Sequence, residues 1–327
     1  MKNIAIIGSG SWGVALGIHM AKLGHNIKIW SFLKEEADLI NNERKCKFLP
    51  EIELPNNIVA TQSFEECICG SDYIFHVTPS QVVRNTVKQY KEFVNEQPII
   101  ICSKGFEKDT LYTLNEIIEE ELPNNSVAVF SGPSHAEEVS REVPTAMVLA
   151  SKDENLLEEL HGMLKNEYMR IYLSTDVKGV ELGGSLKNII AFCAGILIAL
   201  DLGDNSFAAL LTRGLAEISK LGETLGGKHE TFYGLSGLGD LIVTCASKYS
   251  RNRRAGMLIG QGRTLEETKK EVGMVIESIE NIEVAYKLGQ MHKIDMPIVN
   301  TAYDVLYNGL DAKEAVYKLM TRDKKFE

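Results

Sequence analysis

The stretch from Ile4 to Trp30 constrains this chain more than any other. Ile4 to Ile7 is a short apolar run, as expected of a parallel strand buried on both faces. Gly8, Gly10 and Gly13 then supply a G-x-G-x-x-G loop. Behind it Trp12, Leu16 and Met20 recur at helical spacing, Gly24 closes the helix, and Ile27 to Trp30 forms a second strand. The glycines have separate tasks: a tight turn, close approach of a pyrophosphate to the backbone, and close packing of helix on strand. The helix N-terminus offers unpaired N–H groups and the positive end of its dipole to that phosphate. Such a loop alone carries little weight. Set between strand and helix, with a second strand following, it favours dinucleotide binding over a merely structural turn.

The alternation continues. Ser63 and Glu66 form a capping box before a short helix, and Phe48 to Asn57, with two prolines, reads as a loop. Strands are expected at Tyr73–Val77, Pro98–Cys102, Val127–Phe130, Ala146–Ala150 and Met169–Leu173. Between them come helices at Gln81–Phe93, at about Leu111–Glu121, and after a Ser151/Glu154 capping box. This is the pattern of an α/β, doubly wound, Rossmann-type domain with a largely parallel sheet. Near Thr175 the period turns helical and stays so, with caps at Thr264/Glu267 and Asp311/Glu314, a stop at Gly226-Gly227 and a break at Pro297. The expectation is a dinucleotide-binding domain over 1–173 and an all-α, substrate-binding domain over 174–327.

A net charge of −10 argues against a nucleic-acid partner or an anionic-membrane binder, so an anionic small molecule needs a local basic pocket. The six cysteines are scattered without metal-site spacing, the reading expected of thiols in a reducing compartment. No cleavable leader is visible at Met1-Lys2, and the apolar run Ile189–Leu200 suits a buried core helix better than a membrane span. A cytoplasmic protein without stable membrane insertion is expected.

Four places carry candidate chemistry. Three strand ends bear polar residues suited to the ligand crevice of an open sheet: Thr78-Pro79-Ser80, Ser103-Lys104-Gly105 and Ser131-Gly132-Pro133-Ser134. Lys104 would meet a cofactor, a substrate oxygen or a carboxylate there, or else stand as a solvated loop lysine. Lys187 is the only charge between Glu181 and Asp201; it either serves as a general base or snorkels its head to the surface. Asp240, after the glycine run Gly234–Gly239, is a candidate partner for it or a helix cap. Ser250-Arg251-Asn252-Arg253-Arg254 is the densest basic cluster, a phosphate grip or a solvated helix start.

Together these residues resemble bacterial-type NAD(P)-dependent sn-glycerol-3-phosphate dehydrogenase over nearly the whole chain. The matching runs are Gly8–Gly13, Ser103–Gly105, Ser131–Ser134, Leu182–Asn188, Gly237–Leu241 and Ser250–Met257, in the family's order and spacing. The resemblance implies interconversion of sn-glycerol 3-phosphate and dihydroxyacetone phosphate, with NAD or NADP as cofactor. It implies that Gly8, Gly10, Ser11, Trp12, Gly13, Phe32 and Ala136 hold the cofactor, joined by Val275 and Glu277 from the helical domain. Lys104 would serve cofactor and substrate, with Gly132 and Ser134 on the substrate. Lys187 would accept the proton; Asp240, Ser250, Arg251 and Asn252 would hold the glycerol phosphate, Arg251 also near the cofactor. The site would lie in an interdomain cleft. Such an enzyme would supply glycerol 3-phosphate for phospholipid synthesis.

One departure stands out. After the second strand the family commonly has a basic or histidine side chain; here Trp30-Ser31-Phe32 follows, with no acidic residue for a ribose 2′-OH and no arginine for a 2′-phosphate, Lys34 being the nearest substitute. Rival readings are another two-domain hydroxyacid or 6-phosphogluconate-type dehydrogenase, or a non-catalytic dinucleotide sensor. Apolar helix faces leave room for a homodimer, but nothing in the sequence specifies one.

Overall fold

A computed structural model describes residues 1–323. The chain divides into two compact units: 1–104 with 112–181, and 105–111 with the chain from Leu182 onward. The division falls between Glu181 and Leu182, inside a continuous helix Val177–Ala199, rather than at the change of sequence pattern near Thr175. The short run Gly105–Leu111 leaves the first unit's strand order and belongs to the second unit.

In the first unit the strands are β1 (Asn3–Ile7), β2 (Asn26–Trp30), β3 (Ile58–Thr61), β4 (Tyr73–His76), β5 (Ile99–Ile101), β6 (Val127–Ser131), β7 (Thr145–Ser151) and β8 (Met169–Ser174). They form one sheet in the order β3-β2-β1-β4-β5-β6-β7-β8. Every neighbouring pair is parallel except β6 and β7, so β7 and β8 run against the rest. The order reverses at β1, which pairs with β2 on one side (Ile4 opposite Ile27) and β4 on the other (Ile4 opposite Tyr73). In a sheet of this kind ligands bind beyond the carboxyl ends at that reversal.

Alternation along β1 makes two cores. Ile4 and Ile6 enter one apolar cluster, Ala5 and Ile7 the cluster on the opposite face. Burying each of the three isoleucines stabilises by about 1.5–3 kcal/mol, before conformational entropy is counted. The first helix, Ser11–Lys22, lies against this sheet through Gly17, where an added Cβ would sit 3.3 Å from Ile6 and 3.4 Å from Ile29. It stops because Gly24 takes φ +87°, which lets the His25 N–H reach the Met20 carbonyl at 3.2 Å.

Local expectations were met unevenly. Ser63 does cap the helix Phe64–Ile68 by accepting from the Glu66 N–H, but the Glu66 carboxylate turns to the Thr61 hydroxyl instead of completing a box. The helix Glu154–Leu164 is capped by Asp153, not Ser151. Ser151 ends β7, and its hydroxyl donates to the Val127 carbonyl of β6. The segment 81–93 forms a helix Val83–Tyr90 flanked by short 3₁₀ turns, and the helix near Leu111 begins at Leu114 behind a Thr113/Glu116 capping box.

The second unit is helical. The helix Val177–Ala199 is long and apolar enough to cross a membrane by length and composition, yet 83% of its most apolar window is buried in the protein. Leu186, Ile189, Ile190 and Phe192 from it pack with Leu215, Ile218, Phe232, Leu241 and Ile282. It meets the helix Arg251–Gly260 at backbone distance. A Cβ on Gly195 would run into the Arg253 carbonyl, and one on Gly256 into the Phe192 carbonyl. Glu217 is buried and caps the helix Pro297–Tyr307 from outside, accepting the Ile298 N–H at 2.9 Å and the Val299 N–H at 3.2 Å.

Candidate active site

The glycine loop has the form a pyrophosphate needs. Gly8 adopts φ +127°, closed to most side chains, and a Cβ on Gly13 would run into the Gly8 carbonyl. By contrast a Cβ on Gly10 would meet nothing within 4 Å, so the backbone there faces open space. The first helical bond runs from the Val14 N–H to the Gly10 carbonyl at 3.0 Å, so the N–H groups of Ser11, Trp12 and Gly13 precede the helix's own acceptors. Open backbone, orphan donors and the positive helix end fit a dinucleotide phosphate. Trp12 is half-buried against the sheet core, whereas Phe32 is 77% exposed just past β2.

Beyond β5 and β6 a second group gathers. The Lys104 ammonium donates to the Gly132 carbonyl at 3.0 Å, and the Ser134 hydroxyl donates to the same oxygen at 2.9 Å. Gly132 sits at φ +124°, and a Cβ there would come 3.1 Å from Met147 Cα. Lys104, Gly132 and Ser134 are therefore one cluster. Ala136 is buried at the start of the turn of helix Ala136–Val139. Beside them the loop after β4 is held from beneath. His76 Nδ1 lies 3.0 Å from the Tyr90 hydroxyl and Nε2 2.7 Å from that of Thr78, and the Ser103 hydroxyl donates to the Thr78 carbonyl at 2.5 Å. Full burial pushes the His76 imidazole down to about 3, so it is a neutral strut rather than a proton carrier.

In the second unit Lys187 is 5% exposed and Asp240 2%. The Lys187 ammonium donates to Asp240 Oδ1 at 2.9 Å and to Thr244 Oγ1 at 2.6 Å, while the Thr244 hydroxyl reaches the same Asp240 oxygen at 3.1 Å. Snorkelling is ruled out by that burial. Asp240 opens the helix Asp240–Ala246, directly after a π-helical turn Leu235–Gly239. The glycines of this run serve contact rather than flexibility. A Cβ on Gly237 would run into the Phe232 carbonyl, and one on Gly183 would sit 3.1 Å from the Ser236 carbonyl. The carboxylate is thereby set against the helix that carries Lys187.

The basic cluster splits by role. Ser250 is buried and caps the helix Arg251–Gly260 through the Arg253 N–H at 3.2 Å. Arg253 donates to the Ala246 carbonyl at 3.2 Å and Arg254 to the Glu271 carbonyl at 3.3 Å, which are structural duties. Arg251 is exposed on the first turn, beside the dipole's positive end. Asn252 donates to Asn188 Oδ1 at 2.9 Å and accepts from the Ser278 N–H at 2.9 Å. It thus ties the residue after Lys187 to the first turn of the helix Glu277–Met291, where Glu277 is half-buried and Val275, just upstream, is 45% exposed.

Sequence reasoning missed three side chains. Thr244 stands four residues after Asp240, one helical turn on, and that spacing was the available signal. Asn188 had none, because its partner lies at position 252. Glu36 is the third: its carboxylate accepts from the Ser9 hydroxyl of the glycine loop at 2.5 Å, although no acidic residue follows β2 directly.

A glycine loop formed for a dinucleotide phosphate, at the order reversal of an open, largely parallel sheet, is the hallmark of the dinucleotide-dependent dehydrogenases, the class to which the chain belongs. More narrowly, it belongs to the NAD-dependent glycerol-3-phosphate dehydrogenase family, whose N-terminal part matches residues 3–157 and whose C-terminal part matches residues 176–317. It is 48% identical to glycerol-3-phosphate dehydrogenase [NAD(P)+] of Fusobacterium nucleatum, covering 100% of this chain and 99% of that one. The Thermoanaerobacter sp. protein of the same name is also 48% identical, over 99% of this chain and 98% of its own. The crystal structure of glycerol-3-phosphate dehydrogenase from Coxiella burnetii superposes with a TM-score of 0.95 at 36% identity, covering 98% and 99% of the two chains. The cofactor is accordingly NAD or NADP.

Proposed function

We propose that the protein interconverts sn-glycerol 3-phosphate and dihydroxyacetone phosphate, with Lys187 as the general acid and base. The observation that carries the assignment of roles is the buried Lys187–Asp240–Thr244 cluster. A bound nicotinamide supplies the hydride or takes it up; the protein supplies orientation and a proton. In the oxidative direction Lys187 Nζ receives the proton of the substrate C2 hydroxyl. In the reductive direction the ammonium returns it to the forming alkoxide. Asp240 and Thr244 accept from the ammonium and so fix its position and orientation. Lys104, held on the Gly132 carbonyl, polarises the substrate carbonyl, and Ser134 keeps that carbonyl group in register.

Arg251 takes the substrate phosphate at the N-terminus of its helix, where the dipole adds to the guanidinium. Binding energy from this non-reacting end holds C2 in place for transfer. The glycine loop with Ser11 and Trp12 takes the dinucleotide phosphates, and Ala136, Val275 and Glu277 complete the reading of the cofactor site. The same reading makes the protein a cytoplasmic supplier of glycerol 3-phosphate for phospholipid synthesis. Its net charge of −10 and the burial of its long apolar helix support a soluble enzyme with a small phosphorylated substrate, without nucleic-acid or membrane partners. The test is absorbance at the nicotinamide band with dihydroxyacetone phosphate. Oxidation of NADH or NADPH is expected; none with either, in folded protein shown to bind the cofactor, overturns the reading.

A further inference from the structure

We propose that Glu36 reads the adenosine ribose of the cofactor and sets a preference for NAD(H) over NADP(H). This rests on the dinucleotide-binding role of the glycine loop and goes beyond it by choosing between the two cofactors. An acidic residue near the end of the second strand ordinarily bonds the ribose 2′-hydroxyl in such sheets. The position directly after β2 is Ser31, which is fully buried and cannot fill that role. Its hydroxyl donates to the Leu33 carbonyl at 2.9 Å and lies 2.8 Å from the Ser9 hydroxyl.

Folding brings a carboxylate to the same place by another route. After β2 the chain turns into a short helix, Lys34–Asp38, and Glu36 on it reaches back to the glycine loop. Its Oε2 accepts from the buried Ser9 hydroxyl at 2.5 Å, a short charge-assisted bond that holds the carboxylate against the carboxyl end of β1. Ser9, Glu36, Ile40, Cys46, Lys47 and Phe48 line a narrow cavity, partly open to solvent, at this point. Its wall is an aliphatic side chain, a thiol and an aromatic ring, with a single anchored anion. A ribose diol donates to such a carboxylate. A 2′-phosphate brings a charge of about −1.5 to −2 and acceptor oxygens only, which the carboxylate repels.

Lys47 lines the cavity too and is the opposing influence. Its ammonium stands 5.8 Å over the Phe48 ring, and its side chain is exposed, as is that of Lys34. Exposed lysines are screened and lose side-chain entropy when they pair, whereas Glu36 is already fixed by a buried donor. The anchored charge decides.

The test is direct binding, measured by fluorescence titration of the full chain with NADH and with NADPH in the absence of substrate. The wild-type protein is expected to bind NADH more tightly than NADPH by on the order of tenfold or more. Glu36→Gln should shrink that ratio several-fold, by weakening NADH and strengthening NADPH, while Lys47→Gln should widen it. A wild-type protein that binds NADPH as well as NADH overturns the proposal without recourse to any variant, as does an unchanged ratio in a folded Glu36→Gln protein. Failure to bind either nucleotide overturns the dinucleotide reading together with this one. Tight NADH binding without turnover of dihydroxyacetone phosphate strikes only the proposed reaction.

Discussion

Lys187 is the side chain on which the proposed mechanism turns. Alone among the charges between Glu181 and Asp201, it is buried on a helix that otherwise feeds the apolar core. A buried ammonium is costly unless paired, and Asp240 and Thr244 provide the pairing. Lys187→Ala should lower kcat by about 10²- to 10⁴-fold, the usual worth of a positioned acid–base group, with the dissociation constant for NADH nearly unchanged. Single-turnover kinetics beside a cofactor titration would check this; kcat within a few-fold of wild type refutes the base assignment. The role proposed for Arg251 is different, binding rather than proton transfer. Arg251→Ala should raise KM for dihydroxyacetone phosphate roughly 10- to 100-fold, the loss of one charge-assisted contact. An unchanged KM would leave the arginine as a solvated helix start.

At the scale of elements, position depends on glycine more than on polar chemistry. The helix Val177–Ala199 and the helix Arg251–Gly260 touch backbone to backbone at Gly195 and Gly256, which sets Asn252 within 2.9 Å of Asn188. Gly256→Ala forces a Cβ into the Phe192 carbonyl. It should destabilise the protein by about 1–3 kcal/mol, and the helix shift should raise KM for the phosphorylated substrate as well. Thermal unfolding and steady-state kinetics on the same preparation test both parts; wild-type stability would show that the crossing relaxes freely. The capping misreading has the same lesson. Asp153 and Ser151 both stand near the start of one helix, and the choice between them went to Asp153 because β6 claims the Ser151 hydroxyl.

For the molecule as a whole, buried titratable groups shape how stability varies with pH. Burial raises Glu217 from its ordinary 4.5 to about 7, and Glu181 likewise, against the hydrogen bonds that favour their charged forms. Between those two pH values the folded protein holds protons that the unfolded chain has released. The contribution of each is therefore full below pH about 4.5 and is lost as pH rises towards 7. His76 works in the opposite sense: held neutral in the fold, it contributes above its ordinary 6.5 and the contribution is lost as pH falls towards 3. Glu217→Gln keeps an acceptor for the Ile298 and Val299 N–H groups and removes the titration. Its unfolding free energy relative to wild type should rise from pH 4.5 to 7, followed by denaturant titration; a constant difference across that range contradicts the assignment.

Sequence alone determined the elements and the chemistry that single residues announce. The continuous apolar run of β1 and the glycine loop behind it dictated an α/β sheet, because both faces of β1 must be buried and only glycine fits at Gly8 and Gly13. Lys187 and Asp240 were visible as charges in an apolar or glycine-rich setting, Lys104 by its place at a strand end, and Arg251 by its place in the densest basic cluster of an acidic chain. What tertiary structure decided were the partnerships between distant positions. Asn188 with Asn252, Lys104 with Gly132 and Glu36 with Ser9 have no signature in local pattern. The assignment of Gly105–Leu111 to the second unit and the antiparallel turn of β7 belong here too. Hydrogen bonds of this kind form only when separate elements are packed to within about 3 Å, and packing is a property of the folded chain rather than of any stretch of it.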